Sequence, residues 1–166
     1  MMGQSQDIKI YTLVNETHKK LFLDDYFLDT YPHSKGNVEV FESNIDHDGD
    51  FMSGSFLNII EEKLNLILKT IDDNRGDYIL WMDADIQFFR SFMDEIKQKM
   101  GGGEDIVFQS EGNNYNVGIQ LIKCNADTKE FYRKALLEFK DSELNEQPII
   151  NTIADDFPQD FTVYRN

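Results

Sequence analysis

The chain has 166 residues, 40% hydrophobic and 13% aromatic, which is enough to bury a core within one domain spanning 1–166 and too apolar for a disordered segment. Asp and Glu number 31 against 16 Lys and Arg, and the resulting net charge of -15 repels a phosphate backbone. General nucleic-acid binding is thereby excluded, and an anionic small substrate would need a local cation, of which a divalent metal is the obvious candidate.

The first residues, MMGQSQD, lack the basic-then-apolar pattern of a signal peptide. IKIYTLV (Ile8–Val14) is rich in β-branched residues and predicts a strand, followed by a short amphipathic helix over HKKLFLDDYFLDTYP that stops at Pro32. NVEVF (Asn37–Phe41) alternates as a second strand. The polar loop ESNIDHDGDFMSGS leads into a long helix from about Phe56 to Ile71. YILWMD predicts a third strand, and SFMDEIKQKM a helix ended by Gly101–Gly103. DIVFQ and VGIQLIK are further strands, Ala126–Phe139 and Glu146–Ala154 further helices, and FTVY a last strand. Alternating strands and helices predict an α/β domain, an α/β/α sandwich around a mostly parallel sheet. No apolar stretch approaches the ~20 residues of a membrane span. Cys124 is alone, so neither an intramolecular disulfide nor a cysteine-only zinc site is possible. A soluble, cytoplasmic protein is expected.

Two acids interrupt the apolar run of the third strand. Residues two apart in extended chain point to one side, so Asp83 and Asp85 can converge at the strand's carboxyl end, where open α/β sheets bind ligands. Converging carboxylates repel unless a cation lies between them, and magnesium or manganese fits such hard oxygen ligands. The alternative is a pair of solvated acids capping the next helix. Lys63 is a second anomaly, because Phe56, Ile60, Lys63 and Ile67 share one stripe of the long helix. Either its stem lies along the apolar surface with the ammonium in water, or the ammonium serves the acids or a donor phosphate. DHDGD (Asp46, Asp48, Asp50) fails as an EF-hand, because the sixth and twelfth loop positions are Phe51 and Leu57. His18, His33 and His47 read as surface residues.

The apolar strand running into Asp83-Ala84-Asp85, the Asn116-Val117-Gly118 before VGIQLIK, and the Glu146-Gln147 opening a helix occur in an order that resembles the nucleotide-diphospho-sugar glycosyltransferases of GT-A (Rossmann-like) fold. The resemblance covers Ile8 to Ala154. It implies a metal-dependent glycosyltransferase moving a hexose or pentose from a nucleoside diphosphate, most commonly UDP, to an acceptor hydroxyl of a glycan or protein. It implies Asp83 and Asp85 as ligands of Mn2+ or Mg2+, with Asp83 also near the donor. Thr12, Leu13, Val14 and Lys63 are implied as nucleotide contacts, and Asn116, Gly118 and Gln147 as sugar contacts. Glu146 is implied as the carboxylate acting at the sugar. The chain departs from the family pattern in having Glu146 where Asp is usual. It also has no histidine after His47 to complete the metal site, a place Asp155 or Asp156 could take. Two other readings of the DxD are a haloacid-dehalogenase-type phosphatase, which expects Thr or Val where Gln87 stands, and a non-catalytic nucleotide-sugar or metal-binding module.

Overall fold

The computed structural model describes residues 8–33, 35–45, 53–142 and 144–157, and the backbone of 163–165. Six strands, β1 (Lys9–Val14), β2 (Val38–Glu42), β3 (Tyr78–Met82), β4 (Ile106–Glu111), β5 (Asn114–Lys123) and β6 (Val163–Arg165), form one sheet in the order β2-β1-β3-β5-β4-β6. Every strand runs the same way except β5, which is antiparallel to both β3 and β4. The chain reverses its direction of sheet growth at β1, which has β2 on one side and β3 on the other. That places a crevice at the carboxyl ends of β1 and β3.

Helices cover both faces. On one lie α2 (Gly54–Asp73), α4 (Ala126–Lys140) and α5 (Glu146–Asp156), burying Leu64, Ile67, Phe131, Tyr132 and Ile150 against Ile79, Trp81, Phe108 and Ile122. On the other lie α1 (Glu16–His18), continuing as a π-helix over Lys19–Leu28, and α3 (Met93–Gly102), packed around Phe27, Leu80, Met82 and Leu121. The rings of Phe41, Tyr11 and Trp81 stack across β2, β1 and β3 at centroid separations of 5.8 to 6.5 Å. α3 buries no residue fully, and an apolar cavity of about 340 Å³ lies between it and Leu80, Met82, Val107, Ile119 and Leu121. No helix among the described residues is long and apolar enough to cross a membrane.

The element boundaries differ from those expected for local reasons. Asn15 caps α1 by accepting from the His18 N–H at 2.8 Å, so the first helix starts before His18. Ser53 likewise caps α2 and moves its start to Gly54. Gly101 and Gly102 belong to α3, and Gly103 alone stops it, at φ 85°, in the left-handed conformation a glycine tolerates. The last strand begins at Val163, whereas Phe161 and Thr162 lie outside the described residues, as do Asp46, His47, Asp48 and Asp50.

Cys124 follows β5 with 1% of its surface exposed. Burial first, and the charge of Asp77 second, push its thiol up to about 12. An ordinary thiol titrates near 8.5. The unfolded chain therefore releases this proton at lower pH than the folded one, so folded stability should fall as pH rises from about 9 towards 12. At pH 8 the native protein should not react with Ellman's reagent on the timescale of minutes. In guanidinium chloride it should give one thiol per chain.

Candidate functional site

Strand alternation decides which side of the sheet holds the site. Leu80 and Met82 point into the layer of α3, whereas Ile79 and Trp81 point towards α2. Asp83 continues the second series and meets α2. Its Oδ1 accepts from Lys63 Nζ at 2.7 Å, and the same ammonium donates to Glu146 Oε1 at 3.2 Å. Lys63 lies on the buried face of α2 with Ile60, Leu64 and Ile67, and its side chain is only 6% exposed. The ammonium therefore does not reach solvent. One buried cation ties β3 to the first turn of α5.

β5 is shaped to meet this pair. Its register with β4 jumps from Phe108↔Gln120 to Gln109↔Asn116, so Val117–Ile119 bulge away from β4. Bulges of this kind re-aim strand edges beside ligand sites. The freed groups are satisfied within the fold. Gly118 O accepts from the Asp83 N–H at 2.8 Å. Val117 O accepts from Gln120 Nε2 at 2.7 Å, and Gln120 Oε1 accepts from the Tyr132 hydroxyl of α4 at 2.6 Å. Asn151 of α5 bonds both the N–H and the carbonyl of Tyr115, at 2.7 and 2.9 Å, as a neighbouring strand would. A Cβ at position 118 would stand 3.0 Å from Asn116 Oδ1, which would have to give by a few tenths of an ångström, and in ordinary contact, 3.5 Å, with Asp83 Oδ2.

The polar contacts close into a ring. From Lys63 they run through Asp83 to Gly118, whose N–H donates to Asn116 Oδ1 at 2.8 Å. Asn116 Nδ2 and Gln147 Nε2 both donate to Glu111 Oε2, at 3.3 and 3.0 Å, and Gln147 adjoins Glu146, which returns to Lys63. Burial pulls the Lys63 ammonium towards neutrality, but Asp83 and Glu146 more than reverse this and hold it charged above the usual lysine range. Burial likewise raises the Asp83 carboxyl. Lys63 pulls it back, and the charges of Glu146 and Asp85 push it up again. Two acids thus share one ammonium and the charge of Asp85 lies nearby, leaving an excess of negative charge at the strand end.

Of the sequence-predicted residues, Lys63, Asp83, Asn116, Gly118, Glu146 and Gln147 meet in this ring. Asp85 does not reach it as expected. β3 ends at Met82 and the chain turns at Ala84–Asp85, so the two acids are not an extended pair on one side. Asp83 is partly buried, with 38% of its side chain exposed, and Asp85 is exposed, close enough for its charge to raise the Asp83 carboxyl. Asn116 is not in a turn before the strand but within β5, two residues into it. Thr12 is wholly buried inside β1 and presents no atom to a ligand in this conformation, while Leu13 and Val14 finish β1 at the crevice edge. Asp155 and Asp156 end α5, roughly 14 Å along the axis from Glu146, too far to join Asp83. Glu111, Gln120 and Asn151 were not picked out from the sequence. Gln120 carried a usable signal, a polar side chain inside the apolar run IQLIK. Glu111 carried none, because an acid before a Gly-Asn turn is ordinary.

A family model of nucleotide-diphospho-sugar transferases matches residues 7–163. The chain belongs to that family. Among solved structures, the transferase is similar to a glycosyltransferase involved in the glycosylation of the major capsid of PBCV-1, at 10% identity and a TM-score of 0.57, over 95% of this chain and 82% of that one. It is also similar to the glycosyltransferase GlyE of Streptococcus pneumoniae TIGR4, at 13% identity and a TM-score of 0.58, over 95% of this chain and 45% of that one. The apo form of GlyE gives 11% identity and a TM-score of 0.60. At such identities the likeness shows the fold, which is the GT-A type of α/β/α sandwich. The transferase spans less than half the length of GlyE. No curated protein matches it. The family leaves no place for the phosphatase reading of the DxD.

Replacing Lys63 by Met in the transferase would leave Asp83 and Glu146 facing each other without a cation. The loss of stability should be about 3 kcal/mol, at the low end for a broken buried pair because Asp83 is partly exposed. Urea unfolding at pH 7 checks this. The double replacement Lys63→Met with Glu146→Leu should recover more than half of the loss, because the buried charge goes with its partner.

Proposed function

We propose that the chain is a metal-dependent glycosyltransferase that moves a hexose or pentose from a nucleoside diphosphate, UDP foremost, to an acceptor hydroxyl of a glycan or protein. The excess of carboxylate around Lys63, at the carboxyl end of β3, carries this reading. Asp83 Oδ2 and both oxygens of Asp85 have no protein partner among the described residues, and such hard oxygen ligands suit Mn2+ or Mg2+. Among the described residues no group of three or more His, Cys, Asp or Glu is poised around one point to hold a metal. Asp83 and Asp85 would be protein ligands, with donor phosphates and water supplying others. The bound metal would neutralise the diphosphate as it leaves.

The chain's own residues do the rest. Lys63 holds Asp83 Oδ1, so the carboxylate turns its other oxygen to the site. In the transfer, the bond from the sugar's C1 to the β-phosphate oxygen breaks, its electrons stay with the diphosphate, and the acceptor oxygen bonds C1 as its proton leaves. Glu146 Oε1 is committed to Lys63, leaving Oε2 to act at the sugar as base, nucleophile or orienting group. Asn116, Gly118 and Gln147 border the same space and would meet sugar hydroxyls. Leu13, half-buried near the end of β1, would border the nucleotide, whereas Val14 is buried and its carbonyl already accepts from the Ser43 N–H.

Calorimetric titration with UDP, and with GDP in parallel, in Mn2+ and then EDTA tests the reading. Metal-dependent binding is expected, weakened roughly tenfold or more by Asp85→Ala. Because Asp85 is exposed and makes no hydrogen bond or ion pair among the described residues, that variant should unfold within about 0.5 kcal/mol of wild type. Consumption of a UDP-sugar then separates an enzyme from a binding module. Absence of binding by either diphosphate in the presence of metal would sink the proposal.

A further inference from the structure

Glu111 ends β4, immediately before the Gly112–Asn113 turn, and receives two carboxamides on one oxygen. Both carboxamides are oriented without ambiguity. Asn116 faces the Gly118 N–H on one side, which only its oxygen can accept, and the Glu111 carboxylate on the other, to which only its nitrogen can donate. Gln147 faces the Val117 N–H, at 3.4 Å, and the same carboxylate. Each NH2 group has two hydrogens and spends one on Glu111. The second hydrogen of each, and Glu111 Oε1, have no protein partner among the described residues.

We propose that Glu111 is a positioning and specificity residue for the transferred sugar. Its Oε2 holds Asn116 and Gln147 with N–H donors outward, and its Oε1 accepts from a sugar hydroxyl. The corner thus offers two donors and one strong acceptor, a pattern that reads the arrangement of vicinal hydroxyls, each of which both gives and takes a hydrogen bond. A network joined through a single carboxylate also fails as a unit. Without Glu111 each carboxamide keeps only its backbone N–H contact, at 2.8 Å for Asn116 and 3.4 Å for Gln147, and the donor pattern loses the acceptor that joins the two. The two carboxamides come from β5 and α5, and Glu111 from β4, so three elements must be in register for the pattern to exist. This role rests on the donor-sugar reading above and adds to it a residue that the DxD, Asn-x-Gly and Glu-Gln motifs do not contain.

The test is a binding panel in Mn2+ with UDP, UDP-glucose, UDP-galactose and UDP-N-acetylglucosamine, on the wild-type chain, Glu111→Ala and Glu111→Gln, each checked for a wild-type circular dichroism spectrum and melt. For every protein the affinity for each sugar nucleotide is divided by that for UDP, which isolates the contribution of the sugar. The wild type should favour one sugar. Glu111→Ala should bring that preference roughly tenfold closer to unity, the worth of an ordinary hydrogen bond or two. Glu111→Gln, which keeps one acceptor oxygen, should fall between. A purely structural role would weaken UDP and every UDP-sugar by the same factor and would overturn the proposal. Unchanged sugar preference in both variants would overturn it while leaving the transferase reading intact. Failure of the wild type to bind UDP or any of the three UDP-sugars would overturn both.

Discussion

The buried ammonium of Lys63 is the contact on which the site depends. It is taken out of water on the inner face of α2, where an unpaired charge would be costly, and it is kept charged by Asp83 from one side and Glu146 from the other. Because those acids come from β3 and α5, separated by more than sixty residues, satisfying the ammonium also fixes the helix against the strand end. The same pairing decides which oxygen of Asp83 remains for a ligand. Fold and chemistry are coupled here through one electrostatic requirement.

The bulge in β5 is the complementary constraint. A strand antiparallel to both neighbours would normally exhaust its backbone groups in the two ladders. By leaving register with β4 at Val117–Ile119, β5 frees a carbonyl and brings Gly118 against Asp83. That irregularity is supported by Gln120, itself held by Tyr132, which meets the Val117 carbonyl, and by the strand-like bonds of Asn151 to the adjoining Tyr115. The core side chains of α4 and α5 therefore determine the edge of a polar site they do not enter. The opposite face of the sheet has a different character, with a half-covered α3 over an apolar cavity and no comparable polar closure among the described residues.

Membership of the nucleotide-diphospho-sugar transferases explains why such a negative protein should gather still more carboxylate at one strand end. A doubly charged diphosphate would be repelled by the acids at this strand end, of which Lys63 neutralises only part. On the proposed reading, a hard cation between the two sets of oxygens would convert the repulsion into attraction, and would do so only where the acids are. On the same reading, the neutral carboxamides and Glu111 would border the sugar end of the donor, where hydrogen-bond pattern and not charge would discriminate.

The linear chain determined the layered α/β architecture, since apolar runs of period two alternate with helical stripes and leave few other ways to bury both faces. It also marked Asp83 and Lys63, because a charge inside an apolar pattern is legible wherever it occurs. Local capping by Asn15, Ser53 and Gly103 shifted the boundaries by a few residues, within what short-range chemistry can obscure. The turn after Met82, which separates Asp83 from Asp85, was not legible, because the period of a strand does not state where the strand stops. Nor was the ring itself. Glu111, Asn116 and Gln147 are ordinary polar residues at ordinary positions, and their meeting depends on a register shift between β4 and β5 and on the placement of α5. Tertiary structure decided these, because hydrogen-bond partners tens of residues apart are chosen by packing and leave no mark on local pattern.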